Sequence, residues 1–208
     1  MLKIKQIEFY KSYNKFNDLP ESPFPEFAFI GRSNVGKSSL LNNLANKTIA
    51  QCSSTPGKTK LINFFLVNKN IYFVDLPGYG YAKVPKSMQK NWAKHIEGYL
   101  EHRPQLKAVF FLLDIRRTPN EQDLIINGWL KKCTNIKVFY ILTKCDKLSK
   151  SQQTEQMLKN ALAMFVDRSD FFYYSVPKKI GKIEVLKSVG NFIESYDQTE
   201  INQDLPDM

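Results

Sequence analysis

The stretch Gly31-Arg32-Ser33-Asn34-Val35-Gly36-Lys37-Ser38 fits G-x-x-x-x-G-K-[ST], the phosphate-binding loop, and narrows the folds open to this chain more than any other feature. Such a loop works only between a strand and the N-terminus of a helix. Phe27-Ala28-Phe29-Ile30 before it reads as a short buried strand, and Ser39-Leu40-Leu41-Asn42-Asn43-Leu44 after it carries a helical apolar spacing. Gly31 and Gly36 are expected to let the backbone curl so that its N–H groups converge on phosphate oxygens, with the helix dipole adding favourable potential. Lys37 would reach the β- and γ-phosphates, and the Ser38 hydroxyl would ligate Mg²⁺.

The remaining pattern supplies a sheet for that loop to sit on. Residues 3–10 alternate and read as a strand, and 14–25, with three prolines, as a loop. The polar segment 48–60 is a loop beside the phosphates. Leu61–Val67 and Asn70–Val74, separated by Asn68-Lys69, read as a hairpin, so one strand must run antiparallel. Val84, Met88, Trp92, Ile96 and Tyr99 form a helical stripe over 84–100. Strands Ala108–Leu113, Val138–Leu142 and Phe171–Ser175 then alternate with helices Glu121–Cys133, Ser151–Phe165 and Gly181–Ser195. Short buried strands separated by helices predict an α/β fold: one mostly parallel sheet of six or seven strands, one strand antiparallel, helices on both faces. The expected division is a single domain over 1–196 and a disordered acidic tail over 197–208.

At 208 residues with 43% apolar and 13% aromatic content, the chain can bury one good core and is neither disordered nor fibrous. Its longest apolar runs are strand-sized, too short to span a bilayer, and the N-terminus lacks a signal-peptide pattern. Cys52, Cys133 and Cys145 have no C-x-x-C spacing and read as free or buried thiols suited to a reducing cytoplasm. The net charge of +10 suggests a polyanionic partner such as RNA, with plain solubility as the alternative.

Two further motifs fall at strand ends. Asp75-Leu76-Pro77-Gly78 comes after the strand ending at Val74; Asp75 there can hold Mg²⁺ through water, and the Gly78 N–H can approach a γ-phosphate. Thr143-Lys144-Cys145-Asp146 comes after the strand ending at Leu142. A carboxylate at Asp146 can accept from both N1–H and the exocyclic amine of guanine, a donor pair adenine lacks, while the Lys144 stem lies over the base plane. Tyr174-Ser175-Val176 is placed for its backbone to touch the guanine O6. The nucleotide is therefore read as GTP or GDP.

Together, G-x-x-x-x-G-K-S, D-x-x-G and T-K-x-D resemble the translation-factor-like GTPases. Thr55-Pro56-Gly57-Lys58-Thr59, Asp75-Leu76-Pro77-Gly78-Tyr79-Gly80-Tyr81-Ala82 and Asp114-Ile115-Arg116-Arg117 with Asp123 beyond it narrow the resemblance to the EngB family, in the TrmE-Era-EngA-EngB-septin-like superfamily. It covers roughly residues 1–196. The resemblance implies a slow GTPase acting as a switch in assembly of the large ribosomal subunit, required for normal cell division. It also implies a cytoplasmic monomer bound to rRNA or a precursor subunit, with neither membrane nor DNA as partner. A nucleotide-dependent binding module with incidental hydrolysis is the alternative. It further implies that Thr59 completes Mg²⁺ coordination with Ser38, that the backbone of Gly57, Lys58, Thr59, Lys60 and Leu61 lines the nucleotide, and that Lys37, Thr59 and Gly78 carry the catalysis. From the residues alone Thr59 only lies in a polar loop near the phosphates, and Thr48 and Thr55 compete for its role.

Hydrolysis needs a positioned water and charge neutralisation. The glutamine next to D-x-x-G in Ras-like proteins is replaced by Tyr79, so slow intrinsic turnover is expected. Asn34 has two readings: by resemblance to some relatives of this GTPase class, a ligand for a K⁺ ion bridging the phosphates, or a residue that merely tolerates a left-handed loop backbone. The first predicts faster turnover in K⁺ than in Na⁺. Tyr79 and Tyr81 are candidates for stacking on RNA and for moving with the γ-phosphate, whereas Trp92 is read as core.

Overall fold

The computed structural model describes the backbone of residues 1–50, 61–80 and 86–203 and the side chains of 1–50, 61–80 and 93–194. In chain order the elements are β1 (Ile7–Tyr13), β2 (Glu26–Gly31), α1 (Lys37–Ala45), β3 (Ile62–Val67), β4 (Ile71–Asp75) and α2 (Lys86–His102). They continue with β5 (Leu106–Asp114), α3 (Glu121–Lys132), β6 (Lys137–Thr143), α4 (Lys150–Met164), β7 (Phe171–Tyr174) and α5 (Lys182–Gln203). One seven-stranded sheet runs β1-β3-β4-β2-β5-β6-β7. β3 pairs antiparallel with both β1 and β4, while β4-β2-β5-β6-β7 are parallel throughout. Thus β3 alone opposes the sheet, as the hairpin at Asn68-Lys69 requires. Both turn residues adopt positive φ (49° and 66°), the twist that suits a tight antiparallel connection.

Each face of the sheet carries its own core. Ile96, Tyr99 and Leu100 of α2, Ile126 and Leu130 of α3 and Met164 of α4 pack on one face. Leu40, Leu41 and Leu44 of α1 and Val185, Leu186 and Val189 of α5 pack on the other. Central strands covered on both sides need apolar residues at every position: Phe27 to Ile30 of β2 and Ala108 to Leu112 of β5 are fully buried. At the N-terminal end of β2, remote from the phosphate loop, the fully buried Glu26 accepts from Arg103 Nε (2.9 Å) and Nη2 (2.6 Å) and from the Tyr99 hydroxyl (2.8 Å). Those bonds let a carboxylate sit inside the protein.

Two expectations are corrected. The first strand begins at Ile7, not Lys3. Residues 1–5 are drawn elsewhere: Leu2 N–H donates to Leu186 O (3.1 Å), and Leu2 and Ile4 pack against the α5-side core. Asn68 Oδ1 accepts from Lys5 and Gln6 N–H, and its amide donates to Lys3 O. The strand is bulged at Tyr10, where the register with β3 shifts. At the other end, α5 runs to Gln203, past the Ser195 expected to end it, and 204–208 lie outside the described residues. Tyr196 to Gln203 contains neither proline nor glycine, and extending a helix already anchored by packing costs little. In the 84–100 stripe, Ile96 and Tyr99 are fully buried as expected, while the side chains of Val84, Met88 and Trp92 lie outside the described residues.

Candidate active site

The parallel strands bring their C-terminal ends to one edge of the sheet, where ligands of open α/β sheets bind. Gly31 ends β2 at that edge. A Cβ there would lie 2.8 Å from Leu112 O and 2.9 Å from Val35 Cγ1, so its small size serves close packing on β5 rather than the curl expected of it. The curl belongs to Gly36, which caps α1 at φ +112°, and to Asn34 at φ +62°. The first turn of α1 then presents N–H groups that have no intrahelical acceptor, a ready anion site. Asn34 is exposed, and Ser33 and Ser38 are partly exposed at the same edge.

Lys37 and Asp75 come together across the site as a buried ion pair, Lys37 Nζ donating to Asp75 Oδ1. The two residues expected to serve phosphate and metal thus lie within bonding reach of each other. Next along the chain, Leu76 N–H donates to Phe29 O (3.0 Å) and its side chain is buried in the core. Pro77 and Gly78 are buried as well, and a Cβ on Gly78 would stand 3.3 Å from Ser33 N. Ser33 N–H donates to Tyr79 O (2.9 Å), which stitches the D-x-x-G turn onto the phosphate loop.

Tyr79 departs from its expected place as a stacking platform. Its side chain is 4% exposed, turned inward with the ring edge-on to Phe111 and the hydroxyl donating to Asp123 Oδ1 of α3. In this conformation it offers no face to an RNA base. The apolar slope of Phe111 and a buried carboxylate acceptor outcompete solvent for the phenol. Tyr81 lies outside the described residues.

The base side is built from hydrogen bonds the chain makes to itself. Thr143 Oγ1 lies within donating distance of Val35 O (2.8 Å) and Leu113 O (3.1 Å), joining β6, β5 and the phosphate loop. Lys144, left-handed at φ +60°, extends its ammonium to Asn34 O (2.8 Å) and Asp114 Oδ2 (3.0 Å). Its stem thus runs from the end of β6 to the phosphate loop and the end of β5. Asp146 sits in the short 3-10 turn Cys145–Lys147, where its Oδ1 accepts from Ser175 Oγ (2.7 Å). The Ser175 hydroxyl, ahead of opposing desolvation, holds the Asp146 carboxyl below its ordinary range, so it is an anionic acceptor ready for paired donors. Gln153 of α4 braces the turn by donating to Cys145 O and Leu148 O. Gly181 shapes the return loop: at φ +87° a Cβ would fall 2.2 Å from Tyr173 O.

Several expected site residues can contribute backbone only. Val35, Leu76, Cys145 and Tyr174 bury their side chains, and Val176 packs partly against the α5-side core. Arg32 lies beside Gly80, its Nε 2.9 Å from where a Cβ would be. Leu61 is exposed just before β3. Gly57, Lys58, Thr59 and Lys60 lie outside the described residues, as do Thr55 and Cys52. The two described cysteines, Cys133 and Cys145, are free thiols as expected.

Two residues gain a role that motif reading does not give them. Asp114, at the C-terminal end of β5, accepts from Arg116 Nε (2.9 Å) and Nη2 (2.7 Å) as well as from Lys144. Burial would raise its pKa, but the bonds from Arg116 and Lys144 outweigh that and hold it well below the carboxylate range. Ser175 acts through its side chain on Asp146 rather than through the backbone alone. An acid at the end of a central parallel strand was the available signal for Asp114; nothing local to the sequence marks the Ser175 hydroxyl.

Comparison with known proteins leads the same way. Residues 26–144 match the family described as 50S ribosome-binding GTPase. GTP-binding protein EngB of Pelobacter propionicus is 48% identical over 189 residues, covering 90% of this chain and 94% of that protein. EngB of Clostridium kluyveri is 45% identical over 198 residues, 94% of this chain and 100% of the relative. A solved structure of an EngB GTP-binding protein superposes with TM-score 0.68 at 22% identity, covering 82% of this chain and 99% of that one. Era in complex with a segment of 16S ribosomal RNA superposes at 0.58 with 20% identity, over 80% of this chain and 55% of Era, a likeness of fold alone.

Proposed function

Given that this chain belongs to the EngB family of GTP-binding, GTP-hydrolysing proteins, we propose that it is a nucleotide-dependent switch in assembly of the large ribosomal subunit. GTP is bound with its guanine on Asp146 and Lys144, its phosphates on the Gly31–Ser38 loop, and its γ-phosphate facing Gly78. Mg²⁺ fits the donors at hand: a Ser38 hydroxyl and a buried Asp75 carboxylate are hard oxygen ligands, and two such ligands beside phosphates suit its octahedral demand. Bound there, the ion would neutralise charge on the β- and γ-phosphates. Asp75 would hold the ion through water, and Lys37, its partner here, would supply its ammonium to the phosphates. Thr59 completes the metal site in this reading. K⁺ beside the exposed Asn34 would supply positive charge that the inward Tyr79 cannot.

The observation that supports a ribosomal partner, beyond the family's description, is the placement of charge. The net charge is +10, and Lys3, Lys5, Lys11 and Lys15 are exposed with no ion pair among the described residues. Lysines neutralise RNA phosphates without reading sequence. No helix of the described residues is long and apolar enough to cross a membrane. In this reading the protein acts in the cytoplasm on ribosomal precursors, as a monomer and in support of normal cell division. Co-sedimentation with ribosomal subunits and precursors, comparing GDP with a non-hydrolysable GTP analogue across a salt series, tests the reading. Large-subunit binding selective for the GTP-like state and weakened by salt is expected. Equal binding in both states would leave a basic GTPase adhering to RNA, and no binding at moderate salt would remove the ribosome as partner.

A further inference from the structure

The contacts around Tyr79 tie together three parts of the site that are distant in sequence. Its carbonyl accepts from Ser33 N–H of the phosphate loop (2.9 Å), its hydroxyl donates to Asp123 Oδ1, and its ring lies against Phe111 of β5. Asp123 is itself immobilised by the reciprocal cap of α3. Its Oδ2 accepts from Asn120 N–H (2.8 Å), and its own N–H donates to Asn120 Oδ1 (3.0 Å). Both carboxylate oxygens are therefore engaged, one by the helix cap and one by Tyr79. Desolvation, and then the Asp123 charge, push the Tyr79 phenol well above its usual range, so it stays a donor wherever the fold survives. Immediately before Tyr79, Gly78 is buried, and a Cβ on it would stand 3.3 Å from Ser33 N and 3.4 Å from Gly31 O. Immediately after it, Gly80 takes φ +86°, a conformation that favours glycine.

We propose that Asp123 is a positioning residue for GTP hydrolysis: by holding Tyr79 inward from the capped end of α3, it seats Gly78 against the phosphate loop before the γ-phosphate arrives. The side chain at the place of the Ras-like glutamine is thereby a structural tether and not a participant at the reacting atoms. GDP has no group to meet Gly78, so the tether favours GTP over GDP; once it is released, part of the binding energy of GTP must go into ordering the turn. The inference rests on the reading of Gly78 as the amide that faces the γ-phosphate.

Three single variants and one double variant, read by affinity for a non-hydrolysable GTP analogue and for GDP, by single-turnover hydrolysis and by thermal midpoint, test it. Tyr79→Phe removes the hydroxyl that bonds Asp123 while keeping the ring, and is expected to lower the analogue-to-GDP affinity ratio and the hydrolysis rate by roughly 3- to 10-fold, the weight of one buried hydrogen bond. Asp123→Ala should do the same, and Tyr79→Phe/Asp123→Ala should add no further loss in the ratio. Asn120→Ala weakens the cap but leaves the tether: its thermal midpoint should fall while the affinity ratio stays that of the parent. An unchanged or raised ratio in Tyr79→Phe overturns the proposal, as does an equal drop in Asn120→Ala, which would make the effect one of helix stability. A further variant, Gly78→Ala, separates the premise: if it leaves the ratio intact, the placing of Gly78 is wrong, and if it collapses the ratio while Tyr79→Phe does not, only the tether fails.

Discussion

The base side and the phosphate side of this site are built on opposite plans. Around the base, each polar group is bonded to another part of the chain, Asp146 also lying 3.5 Å from Lys147 Nζ through its Oδ2. Asp146 is held by Ser175, Thr143 reaches Val35 O, and Lys144 reaches Asn34 O and Asp114. Around the phosphates, the two charged groups with most to give a ligand, Lys37 and Asp75, are engaged with each other. If guanine docks on Asp146 and the phosphates near Lys37, as proposed above, the base meets an acceptor held by Ser175, whereas phosphate and metal meet two charges paired with each other. On that reading, selectivity for the base belongs to the half whose bonds stay, and response to the γ-phosphate to the half whose bonds exchange.

The largest break in that contrast comes from Lys37→Met. It strips the counter-charge from an Asp75 that is 2% exposed, so the nucleotide-free protein should lose about 3–5 kcal/mol in urea denaturation. Hydrolysis should fall roughly 10²–10³-fold with the loss of phosphate stabilisation. Adding Asp75→Leu should recover most of the stability and none of the turnover, since a buried pair can be replaced by apolar packing but its chemistry cannot. Recovery of both would show that the pair is not the phosphate-side device described.

Asp146→Asn probes the half whose bonds stay. An amide can still accept the Ser175 hydroxyl, so the denaturation midpoint should barely move. GTP affinity should fall roughly a hundredfold or more, because the new amide N–H₂ opposes the donors of guanine. Xanthosine triphosphate, which carries a carbonyl at C2, should gain. Competition binding with the two nucleotides reads the exchange, and equal losses for both would mean that Asp146 does not face the base.

The smallest effect is at Arg116→Ala, which removes the paired donor from Asp114 while leaving Lys144. Because the Arg116 side chain is 43% exposed, solvent screening limits the cost to about 1 kcal/mol at pH 7. The folded-state pKa of Asp114 lies below its ordinary value of 3.8, so its contribution is present above that pH and is lost as pH falls through the lowered value. The stability gap between parent and variant should accordingly be full at pH 7 and narrow below about pH 4. A gap independent of pH would assign the loss to packing of the arginine stem.

Much of this was legible in the chain. The phosphate loop, the D-x-x-G turn and the T-K-x-D turn each announce themselves within a few residues, because each depends on local backbone shape and on one chemical type at a fixed offset. The hairpin at Asn68-Lys69 likewise required β3 to oppose its neighbours. Where reading failed, the cause was competition from afar. The alternation of residues 3–10 was a fair strand signal, yet Asn68 and Leu186 claim residues 2–6. A tyrosine flanked by glycines looked like an exposed stacking platform, and Asp123, 44 residues on, buried it.

The sequence by itself determined the α/β class, the single opposing strand, and the motifs from which the phosphate and guanine contacts are proposed, since periodicity and motif spacing are properties of neighbouring residues. Tertiary structure alone decided that Lys37 waits on Asp75, that Lys144 bridges Asn34 and Asp114, and that Tyr79 turns inward to Asp123. Each of those pairings joins groups far apart in the chain, and which polar groups end up within bonding distance depends on strand order and register. The register that sets Asp114 beside Thr143 on adjacent strands, just before Lys144, is one such case.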